Sequence, residues 1–164
     1  MTKELEHHFV KALESNQNIV HKVCTLYTND QDSHKDLFQE ITIQLWQAYP
    51  KFRGESKFST WMYRVALNTA ITLYRKNKRN IATTDYDSVL YKIKVDEYDE
   101  TEEEQLKLLY TAVKQLGDID KALVFLYLED KGYPEIAETL GLTEVNVRVK
   151  MNRIKNKLRT ILNP

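Results

Sequence analysis

The chain has 164 residues, 42% hydrophobic and 29% charged, with only 4 glycines and 3 prolines. This composition excludes a disordered chain and argues against many short strands; it favours long helices in one or two small domains. No apolar run approaches the roughly 18 residues of a membrane span, and the opening MTKELEHHFV lacks the apolar core of a signal peptide, so no membrane span and a cytoplasmic location are expected.

The net charge of zero hides a division into three parts. Residues 1–80 hold 12 basic and 8 acidic residues, residues 81–105 hold 2 and 9, and residues 106–164 hold 10 and 7. Two runs, Lys57–Asn80 and Val145–Pro164, each contain six basic residues and no acidic one. Two such patches point to a polyanion touched twice; the alternative is two solvated helix faces. Cys24 is the only cysteine, so no internal disulfide is possible. His21 and Cys24 read as ordinary helix residues rather than as a metal pair. No metal or other cofactor is expected.

In chain order, a helix is expected over Thr2–Glu14 and a second over Asn18–Tyr27. Ser33 is placed to cap a third that runs to Tyr49, where Pro50 stops it. Leu37, Phe38, Ile41, Leu45 and Ala48 form its core face. Ile43 and Trp46 then point outward among Asp36, Gln39, Glu40 and Gln47, as a protein contact would need, or else they form a second packing face. After a loop, Ser59 is placed to cap a long helix ending near Lys78. Its core face is Met62, Ala66, Ala70 and Leu73. Trp61, Arg64, Asn68, Thr72 and Arg75 share the opposite face. With Phe52, Arg53, Lys57 and Phe58 in the loop before it, this face interleaves aromatic rings with cations, the chemistry that holds single-stranded nucleic acid. Trp61 and Phe58 can alternatively be core residues.

The stretch from Asn80 to Thr101 is acidic and lacks helical period, and reads as a tether. Thr101 and Glu104 form a capping-box pair for the next helix. Gly117 ends it, and Asp118 or Asp120 starts another that stops before Gly132. The segment from Tyr133 to Val147 has helix-turn-helix grammar: Pro134 in a first turn, Ile136, Ala137 and Leu140 on one face, Gly141 at the turn, Leu142 in the corner, and Thr143 as the next cap. Val147, Met151, Ile154 and Leu158 form a core stripe on the last helix, with Arg148, Asn152, Arg153, Lys155 and Arg159 outside it. That division suits a helix lying in a major groove. Val149, opposite the stripe, either touches thymine methyls or is an incidental surface valine. These readings give an all-α chain of two small helical domains joined by an acidic linker: residues 1–80, 81–103 and 104–164.

The run DLFQEITIQLWQAYPKFRGESKFSTWMYRVALNTAITLYR, from Asp36 to Arg75, resembles region 2 of the extracytoplasmic-function sigma factors. The run GYPEIAETLGLTEVNVRVKMNRIKNKLR resembles region 4 of the same family. The resemblance implies a region 2 helical bundle and a region 4 helix-turn-helix. It implies a factor that binds core RNA polymerase and directs transcription initiation by recognising −35 and −10 promoter elements, with no catalysis of its own. For core polymerase it implicates Asp36, Leu37, Gln39 and Glu40, beside the outward Ile43 and Trp46. For the melted −10 element it implicates Phe52, Arg53, Gly54, Glu55, Ser56, Lys57, Phe58, Trp61, Arg64 and Asn68, with Arg75 following. For the duplex −35 element it implicates Glu144, Asn146, Arg148, Lys150 and Arg153, to which Thr143, Val149 and Asn152 are added from the helix face. Asn146, Val149 and Lys150 depart from the threonine or serine and the arginine that the family often has there. An anti-sigma protein is a further partner the resemblance admits. A helix-turn-helix regulator working without polymerase would account for residues 106–164 but not for the loop at 52–58; a pure interaction module would not protect DNA.

Overall fold

The structure is a computed structural model that describes residues 2–80 and 100–163. Residues 81–99 of the proposed tether, with Tyr86, Tyr91 and Tyr98, lie outside the described residues, and its two ends fall in helices. Those residues form α1 (Lys3–Tyr27), α2 (Gln31–Ala48), a short 3-10 turn at Tyr49–Lys51, α3 (Phe58–Asn80), α4 (Glu100–Lys114), α5 (Asp118–Leu128), α6 (Tyr133–Leu140) and α7 (Glu144–Leu162). No strand occurs among them. The protein is all-α and folds as two small helical units, α1–α3 and α4–α7.

The two expected N-terminal helices are one. Ser15 and Asn16 do not break α1, because Ser15 Oγ donates to Lys11 O at 3.0 Å and Asn16 Nδ2 donates to Ala12 O at 2.8 Å. Bonding back one turn satisfies these polar side chains without ending the helix. The cap of α2 also differs from expectation. Asp30, not Ser33, holds it, accepting from Ser33 N at 2.7 Å and Ser33 Oγ at 2.9 Å. These bonds hold the Asp30 carboxyl below the ordinary carboxylate range. Likewise α3 starts at Phe58, with Trp61 N bonded to Lys57 O, so Ser59 lies inside the helix. Thr101 lies inside α4, which begins one residue earlier.

The three N-terminal helices pack pairwise on one another. Val20, Val23 and Cys24 of α1, Leu37, Ile41 and Leu45 of α2, and Met62, Ala66, Leu67 and Ala70 of α3 are buried between them. The two alanines leave room for the neighbouring helices to approach. Burial pushes the Cys24 thiol up to about 12, so it is an inert core residue rather than a nucleophile.

In the second unit α5 is buried nearly all round, from Lys121 to Leu126. Such a helix is the centre of its domain. Around it α6 contributes Ile136 and Ala137, and α7 contributes Val147, Met151 and Ile154. The turn between α6 and α7 follows the expected grammar. Gly141 takes the left-handed conformation (φ 68°), Leu142 N donates to Ala137 O at 2.9 Å, and Thr143 Oγ1 accepts from Asn146 N at 3.1 Å.

One polar contact ties α1 to the start of α2. His21 Nδ1 and His34 Nε2 lie 3.1 Å apart, and the His21 ring stacks on Phe38 at 4.5 Å. One imidazole donates and the other accepts, so a proton added to the accepting nitrogen removes the acceptor. Burial, then the neighbouring His21, lowers His34 below the ordinary histidine value of 6.5. Folding therefore favours neutral His34, and its contribution is complete above that value and lost as pH falls through the lowered one. The urea midpoint should fall between about pH 7.5 and pH 5, and the fall should be shallower in His34→Gln. Equal slopes in the two proteins would remove the pair as a source of pH dependence.

Candidate nucleic-acid interface

Two exposed basic faces stand out, one in each unit. The first lies along α3 and the loop before it. At 3.6 residues per turn, burying Met62, Ala66 and Ala70 turns Arg64, Asn68, Thr72 and Arg75 to solvent, and all four are exposed. Arg53, Gly54, Glu55 and Lys57 are exposed in the loop. Gly54 has φ 73°, a conformation that disfavours any residue with a Cβ.

The aromatic residues of this face are not free platforms. Phe52, Phe58 and Trp61 are half-buried and pack on one another, with ring centroids 5.7 Å (Phe52–Phe58), 5.1 Å (Phe52–Trp61) and 5.4 Å (Phe58–Trp61) apart. Tyr49 joins them at 6.3 Å from Phe58 and 6.2 Å from Trp61. It also meets Phe9 of α1 at 5.2 Å. Sequence reasoning gave Tyr49 no role beyond ending a helix and did not single out Phe9. Their signal was an aromatic every few residues from Tyr49 to Trp61, which locates a cluster but not its partners.

On α2 the expected protein-contact residues separate. Asp36, Gln39 and Ile43 are exposed on one face, and Glu40 is half-buried, accepting from Gln44 Nε2 at 3.3 Å. Leu37 is buried and supports this face from beneath. Trp46 does not point outward as expected: its half-buried ring meets Phe9 edge-on at 5.1 Å. The packing alternative holds for Trp46, because α1 runs unbroken far enough to bring Phe9 to it.

The second face is α7. Thr143, Glu144, Asn146, Arg148, Val149, Asn152 and Arg153 are exposed, and Lys150 is half-buried. The Thr143 hydroxyl already serves as the helix cap. Arg148 Nη2 lies 3.4 Å from Glu144 Oε1, both side chains being well exposed. Such a pair contributes about 0–1 kcal/mol and yields readily to a better anion. Lys155 instead lies with its Nζ 5.0 Å from the centre of the Tyr127 ring. Val145 is also exposed, and sequence reasoning passed over it.

Among the described residues no group of three or more His, Cys, Asp or Glu could hold a metal ion, and no helix is long and apolar enough to cross a membrane. Charge and helix geometry thus leave two exposed cationic faces: one with a loop and an amide, the other on the second helix of a helix-turn-helix.

Comparison with known proteins agrees with that division. Residues 12–80 match the family model of sigma-70 region 2, and residues 106–158 match that of sigma-70 region 4. Among curated proteins, the chain is similar to the ECF RNA polymerase sigma-E factor of Haemophilus influenzae, 28% identical over 90% of this chain and 84% of the relative. It is also similar to the Escherichia coli K12 protein of the same name, 27% identical over 88% and 82%. Among solved structures, the sigma factor RpoE in complex with the anti-sigma factor NepR from Bartonella quintana shares the fold with a TM-score of 0.69 at 17% identity, covering 98% of each chain. CnrH in complex with the cytosolic domain of CnrY does so with a TM-score of 0.67 at 18% identity, covering 96% and 89%.

The ring cluster makes a stability prediction. Phe58→Ala should destabilise the N-terminal unit by about 2 kcal/mol, less than a fully buried ring would cost. Asn68→Ala, on the exposed row, should change stability by less than about 0.5 kcal/mol. Urea unfolding of the full chain measures both, and equal, small effects would mean the rings do not support the loop.

Proposed function

The chain belongs to the extracytoplasmic-function group of the sigma-70 family, and from that premise we propose that its two basic faces divide promoter recognition between them. It serves promoter-specific transcription initiation by RNA polymerase. It acts as a specificity subunit in the cytoplasm and performs no catalysis of its own.

In this reading α7 enters the major groove of the −35 element. Arg148, Arg153 and Lys150 supply charge, and Asn146 and Asn152 supply amides able to pair with adenine. The α3 face holds the non-template strand of the −10 element. Arg53, Lys57, Arg64 and Arg75 lie along its phosphates, and Asn68 bonds a base edge. The rings of Phe52, Phe58 and Trp61 offer their solvent sides for stacking while their other sides hold the loop. Extruding a base costs a few kcal/mol, and stacking returns about 1–3 kcal/mol per base, so capture of the opened strand offsets its opening. Asp36, Gln39, Glu40 and Ile43 of α2 face core polymerase, with Leu37 and Trp46 as their support. The relatives solved with anti-sigma factors make an inhibitory protein a further partner.

The observation that carries this reading is the exposed cations, Arg64 and Arg75 on α3 and Arg148 and Arg153 on α7, each set within a sequence run that holds no acidic residue, on helices that fall within the matched regions 2 and 4. Run-off transcription from a pool of genomic promoter fragments, with purified core polymerase and this protein, tests it; new transcripts sharing a −35 and −10 pair are expected. On such a promoter Arg64→Ala combined with Asn68→Ala should leave polymerase binding intact and reduce permanganate-reactive open complex by about tenfold, the scale of one or two lost contacts. Undiminished opening would sink the role assigned to α3.

A further inference from the structure

Two valines on α7 lack any role in the fold. Val145 is 69% exposed, more than any other large hydrophobic residue among those described, and Val149 is 43% exposed. They stand four residues apart, one turn along the helix. Taking 100° per residue, Val145, Arg148, Val149 and Asn152 span about 100°. That arc lies opposite Val147, Met151 and Ile154, which are buried. Neither valine helps form the helix, since β-branched residues are poorer helix formers than the lysine, arginine or glutamate that solvent positions usually hold. Packing accounts for neither of them.

Their surroundings indicate what would cover them. From Val145 to Pro164 there are six basic residues and no acidic one, so the occupant of this face is a polyanion rather than an apolar protein surface. The one apolar group that the major groove of DNA presents is the thymine C5-methyl. Val145 is the second residue of α7, at the end that recognition helices turn to base edges. Four residues rise ~6 Å, which spans about two base steps at ~3.4 Å each.

We propose that Val145 and Val149 form a methyl-reading pair that specifies thymine at two positions, within about two base steps, in the −35 element. The inference rests on α7 being the duplex reader and goes beyond it by naming two bases and the groups that read them. Arg148, held by its exposed pair with Glu144, lies at the edge of the same arc, about 60° from Val145, and can swing to a phosphate or a guanine once the groove is occupied.

Deoxyuridine tests this directly, because it pairs as thymine does and lacks only the methyl. The probe is the −35 duplex of a promoter that the reconstituted polymerase transcribes, resynthesised with single thymines replaced by deoxyuridine; the protein is the full chain bound to core polymerase. At two positions the replacement should weaken binding about fourfold each, the scale of one lost methyl contact. Val145→Ala should abolish the sensitivity at one of these positions and Val149→Ala at the other. Both variants should melt like the parent, since neither side chain is buried. A parent protein indifferent to every replacement would overturn the proposal, as would variants that keep its full sensitivity. Normal affinity for the unmodified promoter in those cases would leave α7 as the reader by other contacts. If the polymerase selects no promoter, the reading of α7 falls and the valine pair with it.

Discussion

Both basic faces depend on the angle at which one helix is seated. Met62, Ala66 and Ala70 hold α3, and Val147, Met151 and Ile154 hold α7. A slip of one residue turns either helix by about 100°. Arg64 or Arg148 would then move toward an apolar core, where an unpaired charge is strongly disfavoured. The apolar stripe and the basic row on each helix therefore enforce one another. The stripe selects the rotation, and the row excludes the alternatives.

The loop before α3 is held differently, by rings. Phe52, Phe58 and Trp61 pack on one another, and Tyr49 meets Phe58 and Trp61 and passes the contact to Phe9 and so to α1. Aromatic pairs add to stability beyond the area they bury. A loop positioned this way can keep Arg53 and Lys57 in place although neither is itself packed. The same cluster limits how a base could stack, because only the outer sides of the rings are open. Support of the loop and presentation to a ligand are thus two uses of one set of side chains.

The charges explain why a neutral protein can bind a polyanion. The carboxylates of the described α2 and α4 lie away from the two basic runs in sequence; of the acids next to them, Glu55 stands exposed between Arg53 and Lys57, and Glu144 makes an exposed pair with Arg148. Exposed pairs contribute little and weaken with salt. The local field at α3 and α7 follows their own residues rather than the total.

Features decided by a few neighbouring residues were legible in the sequence. The turn at Gly141, the first turn at Pro134, the cap at Thr143 and the core stripes of α3 and α7, apart from their half-buried last members Leu73 and Leu158, follow from backbone freedom, a missing N–H, a short hydroxyl and helical period. Those same patterns placed Arg64, Asn68, Arg148 and Asn152 at the surface, and the resemblance of two motifs in order carried the family. What depended on distant partners was not legible. Whether Ser15 and Asn16 break a helix or bond back into it turns on competition between local geometries that the surrounding bundle settles. Asp30 and Ser33 are both good caps, and the end of α2 selected the first. Trp46 took Phe9, 37 positions earlier in the chain, as its partner, and Tyr49 became the hinge of a ring cluster. Period alone cannot tell a ring that faces solvent from one that faces another helix. Only the tertiary packing, which sets the helices' mutual distance and rotation, decides that, and with it which side chains of a basic face remain open to a ligand.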